Sequence, residues 1–401
     1  MHYLDHAAST PMRPVAIEAL ARAARELPAN PSGAHGPARA ARRALDDARD
    51  QIADILGAEP GDVVFTSGGT EADDLAVRGV TAAQGGIAAC STVEHPAVRR
   101  PTEDGHGMLV GVDPLGRLDL DALAEVIARR AVEQPGRPLA LLSVMVANNE
   151  TGAVNDLSAI GAALDRLSPS TALHTDAVAA AAWLDLRSVA APAALLSVSG
   201  HKVGGPKGIG VLVVRDGIPL APRVVAGGQE RERRGGTPNL AGALSFAAAL
   251  GEAADERVAT VARVGALQQR LITGLVEALP GVHLTTPADP SLRTPGTVHV
   301  CIPGVAREAL LFLLDEAGIA ASWGSSCASG ASSPSPVLAA MGVPDDLAEG
   351  SLRLSLGWCS TDADVDAVLR AIPGAVARLG GEVTDPGRVG APVGAPTGVG
   401  R

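Results

Sequence analysis

The stretch AALLSVSGHKVGGPKGIGVLVV, residues 193–214, decides the fold. Two short apolar runs, AALLSVS and IGVLVV, flank a glycine-rich turn that carries a lysine. Similar runs occur upstream in DVVFTS, IAACST, LALLSVMVA and TALHTDA. Several of these runs are unbroken by polar residues, as in strands buried on both faces. Helical patterns alternate with them. PVAIEALARAAREL opens at Pro14, a residue suited to a first helical turn, and ARAARRALDDARDQIADIL runs on to a helix-ending Gly57. The alternation predicts an α/β chain built on a mostly parallel sheet with helices on both faces.

Downstream the pattern changes. From about Asn239 a long Ala- and Leu-rich helix leads away, and TVHVCI, REALLFLLDEAG, SLRLSLG and DADVDAVLRAI read as a smaller α+β domain. The predicted division is a large domain over 14–250 and a small domain from 1–13 with 251–379. The last segment, 380–401, is rich in Gly, Pro and Val without any period and reads as a disordered tail.

Composition narrows the function classes. An apolar fraction of 46% over 401 residues is enough for a large core, and aromatics at 2% leave that core to Ala, Val and Leu. A net charge of −11 argues against a nucleic-acid or anionic-membrane surface, while leaving room for a basic protein partner. MHYLDHAAST lacks the basic start and apolar run of a signal peptide, and no apolar run approaches a membrane span. Cys90, Cys301, Cys327 and Cys359 are too few and scattered for a disulfide scaffold or a close-spaced zinc site, so no metal is expected and a cytoplasmic, reducing location fits.

Three segments carry the chemistry. In SVSGHKVGGPKGIG, Lys202 lies between a strand and a turn whose glycines let backbone pass close to a ligand, with Ser199 and His201 as phosphate donors beside it. HTDA ends a strand-like run with Asp176, where α/β sheets place their ligands; a carboxylate there can keep a pyridinium nitrogen protonated. FTSGGTEADDLAV is a strand, a glycine turn and a helix start near Thr70, whose free N–H groups suit a phosphate. Alone, each has a plainer reading: a solvated loop, a helix cap, a common turn. Together they supply the three parts that pyridoxal phosphate needs.

These segments resemble the cysteine desulfurases, a branch of the class V aminotransferase group. The resemblance is carried by YLDHAASTP (3–11), NPSGAH (30–35), FTSGGTEAD (65–73), EHPAV (94–98), NNETG (148–152), HTDA (174–177), SGHKVGGPKGIG, GGQERERRGGT (227–237), GSSCASG (324–330) and RLSLG (353–357). They occur in family order and spacing over nearly the whole chain. The resemblance implies the type I fold of pyridoxal-phosphate transferases and a homodimer with composite active sites. It gives Lys202 the covalent hold on the cofactor, Asp176 the pyridine nitrogen, and His95 the face of the ring. Gly69, Thr70, Ser199 and His201 would hold the phosphate, with Thr237 arriving from the second subunit. Asn149 and Arg353 would grip the substrate carboxylate, which the guanidinium fork matches bidentately.

Cys327 lies among small polar residues in SWGSSCASGASSPSPVLAAMG, whereas Cys90 and Cys301 sit in apolar runs where thiols are inert. An exposed cysteine of this kind can take the sulfur of L-cysteine as a persulfide and pass it to an acceptor protein. The segment resembles the long-loop group of desulfurases, which hand sulfur directly to partners in iron–sulfur cluster assembly or tRNA thiolation. Cys359, in GWCST, reads as structural. The pattern departs in one cofactor contact: the glutamine usual three residues after the aspartate is Ala179 here. Ala38 stands where glycine is common and Asp74 where asparagine is common. The alternatives are another reaction of the same cofactor, as in selenocysteine or cystine lyases, and a weakly active sulfur-relay scaffold.

Overall fold

A two-residue strand, β1 (His2–Tyr3), precedes two amphipathic helices, α1 (Pro14–Glu26) and α2 (Gly36–Leu56). The computed structural model describes residues 1–215, 217–324 and 335–383; Cys327 and residues 384–401 of the predicted tail lie outside them. Helix α2 buries Ala41, Leu45, Ala48, Ile52 and Leu56 at helical spacing and ends on Gly57, whose φ of 65° is left-handed.

The central sheet contains β2 (Val63–Thr66), β3 (Ile87–Ser91), β4 (Met108–Val110), β5 (Leu139–Ser143), β6 (Ala172–Asp176), β7 (Leu195–Ser199) and β8 (Gly210–Val214). Their order is β2-β8-β7-β6-β5-β3-β4. All neighbours are parallel except β8, which runs antiparallel to both β7 and β2. The runs AALLSVS and IGVLVV are therefore adjacent, antiparallel strands joined through the lysine turn. Intervening helices are α3 (Gly69–Gln84), α4 (Pro96–Asp104), α5 (Leu120–Glu133), α6 (Leu157–Leu167) and α7 (Leu186–Val189). Strand alternation sorts the core: Leu196 and Val198 face the main cluster, while Leu195 packs with Ala72, Leu75 and Ala76 of α3 on the other side.

One helix serves two cores. α8 (Leu240–Ala278) runs for 39 residues, about 58 Å at the usual rise per residue. Its early residues Ala243, Phe246 and Leu250 join the first cluster, and Val264, Leu267, Leu271 and Leu275 join a second. That second cluster is built from β9 (His283–Leu284), β10 (Thr297–Cys301), α9 (Arg307–Glu316), β11 (Ile319–Ala320), β12 (Ser351–Ser355) and α12 (Asp362–Arg378), with α10 (Pro336–Ala340) and α11 (Asp345–Ala348) nearby in the chain. β12, β10 and β9 form an antiparallel sheet, and β1 pairs in parallel with β11. The N-terminal segment thus belongs structurally with the second cluster. No helix among the described residues is long and apolar enough to cross a membrane.

Candidate active site

Lys202 ends the short 3-10 turn Gly200–Lys202 that follows β7. Its Nζ donates to the carbonyl of Ala8 at 2.9 Å and to that of Ala7. The segment YLDHAAST therefore lies directly over the lysine. Asp176, the last residue of β6, is buried and accepts a 2.8 Å hydrogen bond from the Val178 N–H. Burial raises its carboxyl above the ordinary range, while neighbouring His95, the Val178 N–H and Lys202 draw it back. Asp176, His95 and Lys202 all stand at or past the C-terminal ends of parallel strands of the one sheet, β6, β3 and β7.

His95 caps α4: its Nδ1 accepts from the Ala97 N–H at 3.1 Å, and Pro96 occupies the first helical position. The cap fixes the ring and leaves the proton of the neutral tautomer on Nε2. Helix α3 begins at Gly69, and its N-cap Gly68 has φ 153° and ψ −176°, a conformation open almost only to glycine. A methyl on Gly69 would lie 2.7 Å from Val178 and 3.5 Å from the Ser199 side chain. The helix start, Val178 and Ser199 thus wall one cradle, with the Thr70 side chain exposed beside it. His201 packs with its Nδ1 3.3 Å from Ser9 Oγ; burial, and then Lys202 and Lys207, push its pKa down to about 4, leaving a neutral ring.

Arg353 reaches the site from β12. It is among the largest fully buried side chains. Nη1 donates to the carbonyls of Asn149 (3.0 Å) and Gly324 (2.9 Å), and Nη2 to Asp5 Oδ1 (2.9 Å). Its Nε has no hydrogen-bond partner among the described residues. Arg353 and Asn149 meet through the Asn149 backbone carbonyl. Asp5 is a partner that the sequence did not single out. Removing one partner of so buried an ion pair typically costs about 3–5 kcal/mol.

Two more residues escaped the sequence reading. Asn148 holds the NNETG turn, accepting from the N–H groups of Glu150 (2.9 Å) and Thr151 (3.0 Å). Glu150 is buried, accepts from Ser335 Oγ at 2.6 Å, and lies 2.9 Å from where a side chain on Gly324 would begin. Gly324 and Ser335 are the described residues on either side of 325–334, so Glu150 touches both flanks of the segment that contains Cys327. Thr237 is exposed, on the stretch before α8. Cys359 is also exposed, against the structural expectation, but partial burial still raises its thiol. Burial raises Cys90, and Cys301 to about 12.

The departures have local accounts. The methyl of Ala38 packs at the start of α2 against Gly33, whose lack of a side chain makes room. Asp74 binds Arg78 at 2.7 Å and Arg223 at 3.2 Å, bonds that favour a carboxylate over an amide. Ala179 is half-buried in the turn after Asp176.

The aminotransferase class-V family model matches residues 2–368. The chain belongs to that family. A curated relative, the IscS-like cysteine desulfurase of Mycobacterium tuberculosis, is 41% identical over 390 residues, covering 94% of this chain and 97% of its own. The solved NifS-like protein of Rickettsia africae superposes with a TM-score of 0.84 at 29% identity, over 94% of this chain and 99% of that one. A structure described as SspA in complex with cysteine gives a TM-score of 0.72 at 28% identity, over 89% and 99% of the two chains. The fold is the type I fold, and the family's cofactor is pyridoxal phosphate. The residues present fit that group: a glycine cradle at a helix N-terminus, a buried strand-end carboxylate and a lysine face one another.

Proposed function

We infer that this protein is a pyridoxal-phosphate-dependent cysteine desulfurase, converting L-cysteine to L-alanine and retaining the sulfur as a persulfide on Cys327. The observation that carries the reading is the placement of Lys202, His95 and Asp176 at the same ends of parallel strands of one sheet, with the buried Arg353 entering from the second lobe beside Asn149. Arg353, with an unpartnered Nε, and Asn149 bind the substrate carboxylate. The cradle at Gly69, Thr70, Ser199 and His201 takes the phosphate, and Asp176 takes the pyridine nitrogen. Bound there, pyridoxal phosphate supplies an electron-poor ring that absorbs charge from the substrate carbon. Lys202 Nζ removes the proton from that carbon, and His95 Nε2 manages the proton on the thiol. Cys327 Sγ attacks the substrate sulfur: a sulfur–sulfur bond forms, the carbon–sulfur bond breaks, and the carbon fragment leaves as alanine. Equal yields of alanine and protein-bound persulfide from L-cysteine test the reading; pyruvate in place of alanine would overturn it.

The persulfide then passes to an acceptor protein, a scaffold for iron–sulfur clusters or a tRNA-thiolation enzyme, in the cytoplasm. The division into a cofactor domain over 14–250 and a small domain from 1–13 with 251–379 is supported by the two hydrophobic clusters. The working unit is a homodimer, in which Thr237 of each chain reaches the other's phosphate. Thr237→Ala is expected to loosen the cofactor about tenfold, the size of one hydrogen bond to a charged group. Sedimentation should show the dimer intact, and a fully active monomer would refute the composite site.

Ala179 gives a prediction of opposite sign. A glutamine there would donate to the cofactor's phenolate oxygen, a bond worth about 1.5–3 kcal/mol in general. Because a donor favours the deprotonated form, Ala179→Gln is expected to lower the pH midpoint of the bound cofactor's colour change and tighten its retention. Spectroscopic titration of both proteins decides. An unchanged midpoint would mean that another group already makes that bond.

A further inference from the structure

Behind Asp176 lies a second carboxyl that the reaction does not use. Asp73, on the second turn of α3, is fully buried. Its Oδ1 has no hydrogen-bond partner among the described residues and stands 3.8 Å from His174 Nε2. His174 cannot serve as its cation. The ring is held between Ser143 Oγ (2.8 Å, at Nδ1) and Ser197 Oγ (3.0 Å, at Nε2), and burial pushes its pKa down to about 3. His174 and Asp176 share one face of β6, and Ser197 is the register partner of Asp176 on β7. Asp73, His174, Ser197 and Asp176 thus form one buried layer between α3 and the sheet.

Two buried carboxyls that share His174 and Ser197 as neighbours disfavour each other's ionised form, and the surroundings decide between them. Asp176 accepts the Val178 N–H and has the His95 ring and the Lys202 amine nearby, both of which favour its carboxylate. Asp73 has no comparable support: burial first, and then the nearby Asp176, raise it well above the carboxylate range, with only the Ser197 hydroxyl opposing. Glu94 is itself pushed up to about 8 by burial, so it too is mostly neutral near pH 7.

We propose that Asp73 is a positioning residue for the cofactor, standing as a neutral carboxylic acid behind Asp176 so that Asp176 alone carries the charge that meets the pyridine nitrogen. This rests on the reading of Asp176 as that nitrogen's partner. Among the described residues, the Ser197 hydroxyl is the one side-chain group that hydrogen-bonds Asp73, and it also meets His174 Nε2 at 3.0 Å, so the acid's proton bears on the orientation of that serine. An ionised Asp73 would instead drive the proton onto Asp176 and cancel the pairing.

The test reads protonation directly. The infrared difference between wild-type holoprotein and Asp73→Asn at neutral pH should contain the carbonyl stretch of one protonated carboxyl. Asp73→Asn, which mimics the neutral acid, should hold the cofactor within about twofold of wild type, while Asp73→Ala, lacking the brace, should hold it about tenfold more weakly. In Asp176→Asn the anion is gone, so the Asp73 band should disappear at lower pH than in wild type. A missing band, or a loss in Asp73→Asn as large as in Asp73→Ala, overturns the proposal; if Asp73→Ala does not fold, the band and Asp73→Asn still decide. Undiminished cofactor retention in Asp176→Asn, with the band present, overturns the reading of Asp176 and only through it the positioning role.

Discussion

Cys327→Ser enzyme is expected to retain its cofactor and bind L-cysteine, yet to form alanine and persulfide at least about 10³-fold more slowly, as losing an activated nucleophile commonly costs. A hydroxyl at that position is a far weaker nucleophile toward sulfur than a thiolate. The remaining cysteines offer no ready substitute. Cys90 and Cys301 are buried with raised thiols, and the exposed Cys359 is raised as well, so each is less reactive than a free cysteine. Alanine release and mass spectrometry of the persulfide would measure the effect. A normal rate in this variant would move the sulfur-accepting role to Cys359.

Lys202→Ala should lose both the covalent hold on the cofactor and the base that moves the substrate's proton. The proton transfer alone is worth about 10²–10⁴-fold. The chain allows an unusually clean check, because it has only two lysines, Lys202 and Lys207. Borohydride reduction of the wild-type holoprotein followed by peptide mapping should put the cofactor on Lys202. Lys207 is exposed at the far side of the glycine turn. A label there would overturn the assignment and the mechanism built on it.

What could be read from the sequence follows from how local each signal is. Six of the seven central strands were legible because burial on both faces writes an apolar run. β4 escaped, having only three residues, Met108–Val110. The reversed direction of β8 was also hidden, since an apolar run looks the same either way. Within the site, Lys202, Asp176 and Gly69 announce themselves through the turns and strand ends around them. Asp5 and Glu150 do not: their partners Arg353 and Ser335 lie 348 and 185 positions away, and nothing local marks either carboxylate as paired. Asp73 was hidden for the same reason, as a helix residue whose meaning depends on the strand beneath it.

The N-terminal segment has a consequence for how the protein is made. Ala7 and Ala8 meet Lys202 across 195 and 194 positions, and Asp5 meets Arg353 across 348. On the ribosome the first residues emerge well before the last of these partners has been translated. Loop closure over such distances comes late in folding. The large sheet can assemble while synthesis continues, but the wall of the site is finished only when β12 arrives to meet the start of the chain. A nascent chain halted before Arg353 therefore has its lysine but lacks the Asp5–Arg353 ion pair that completes that wall.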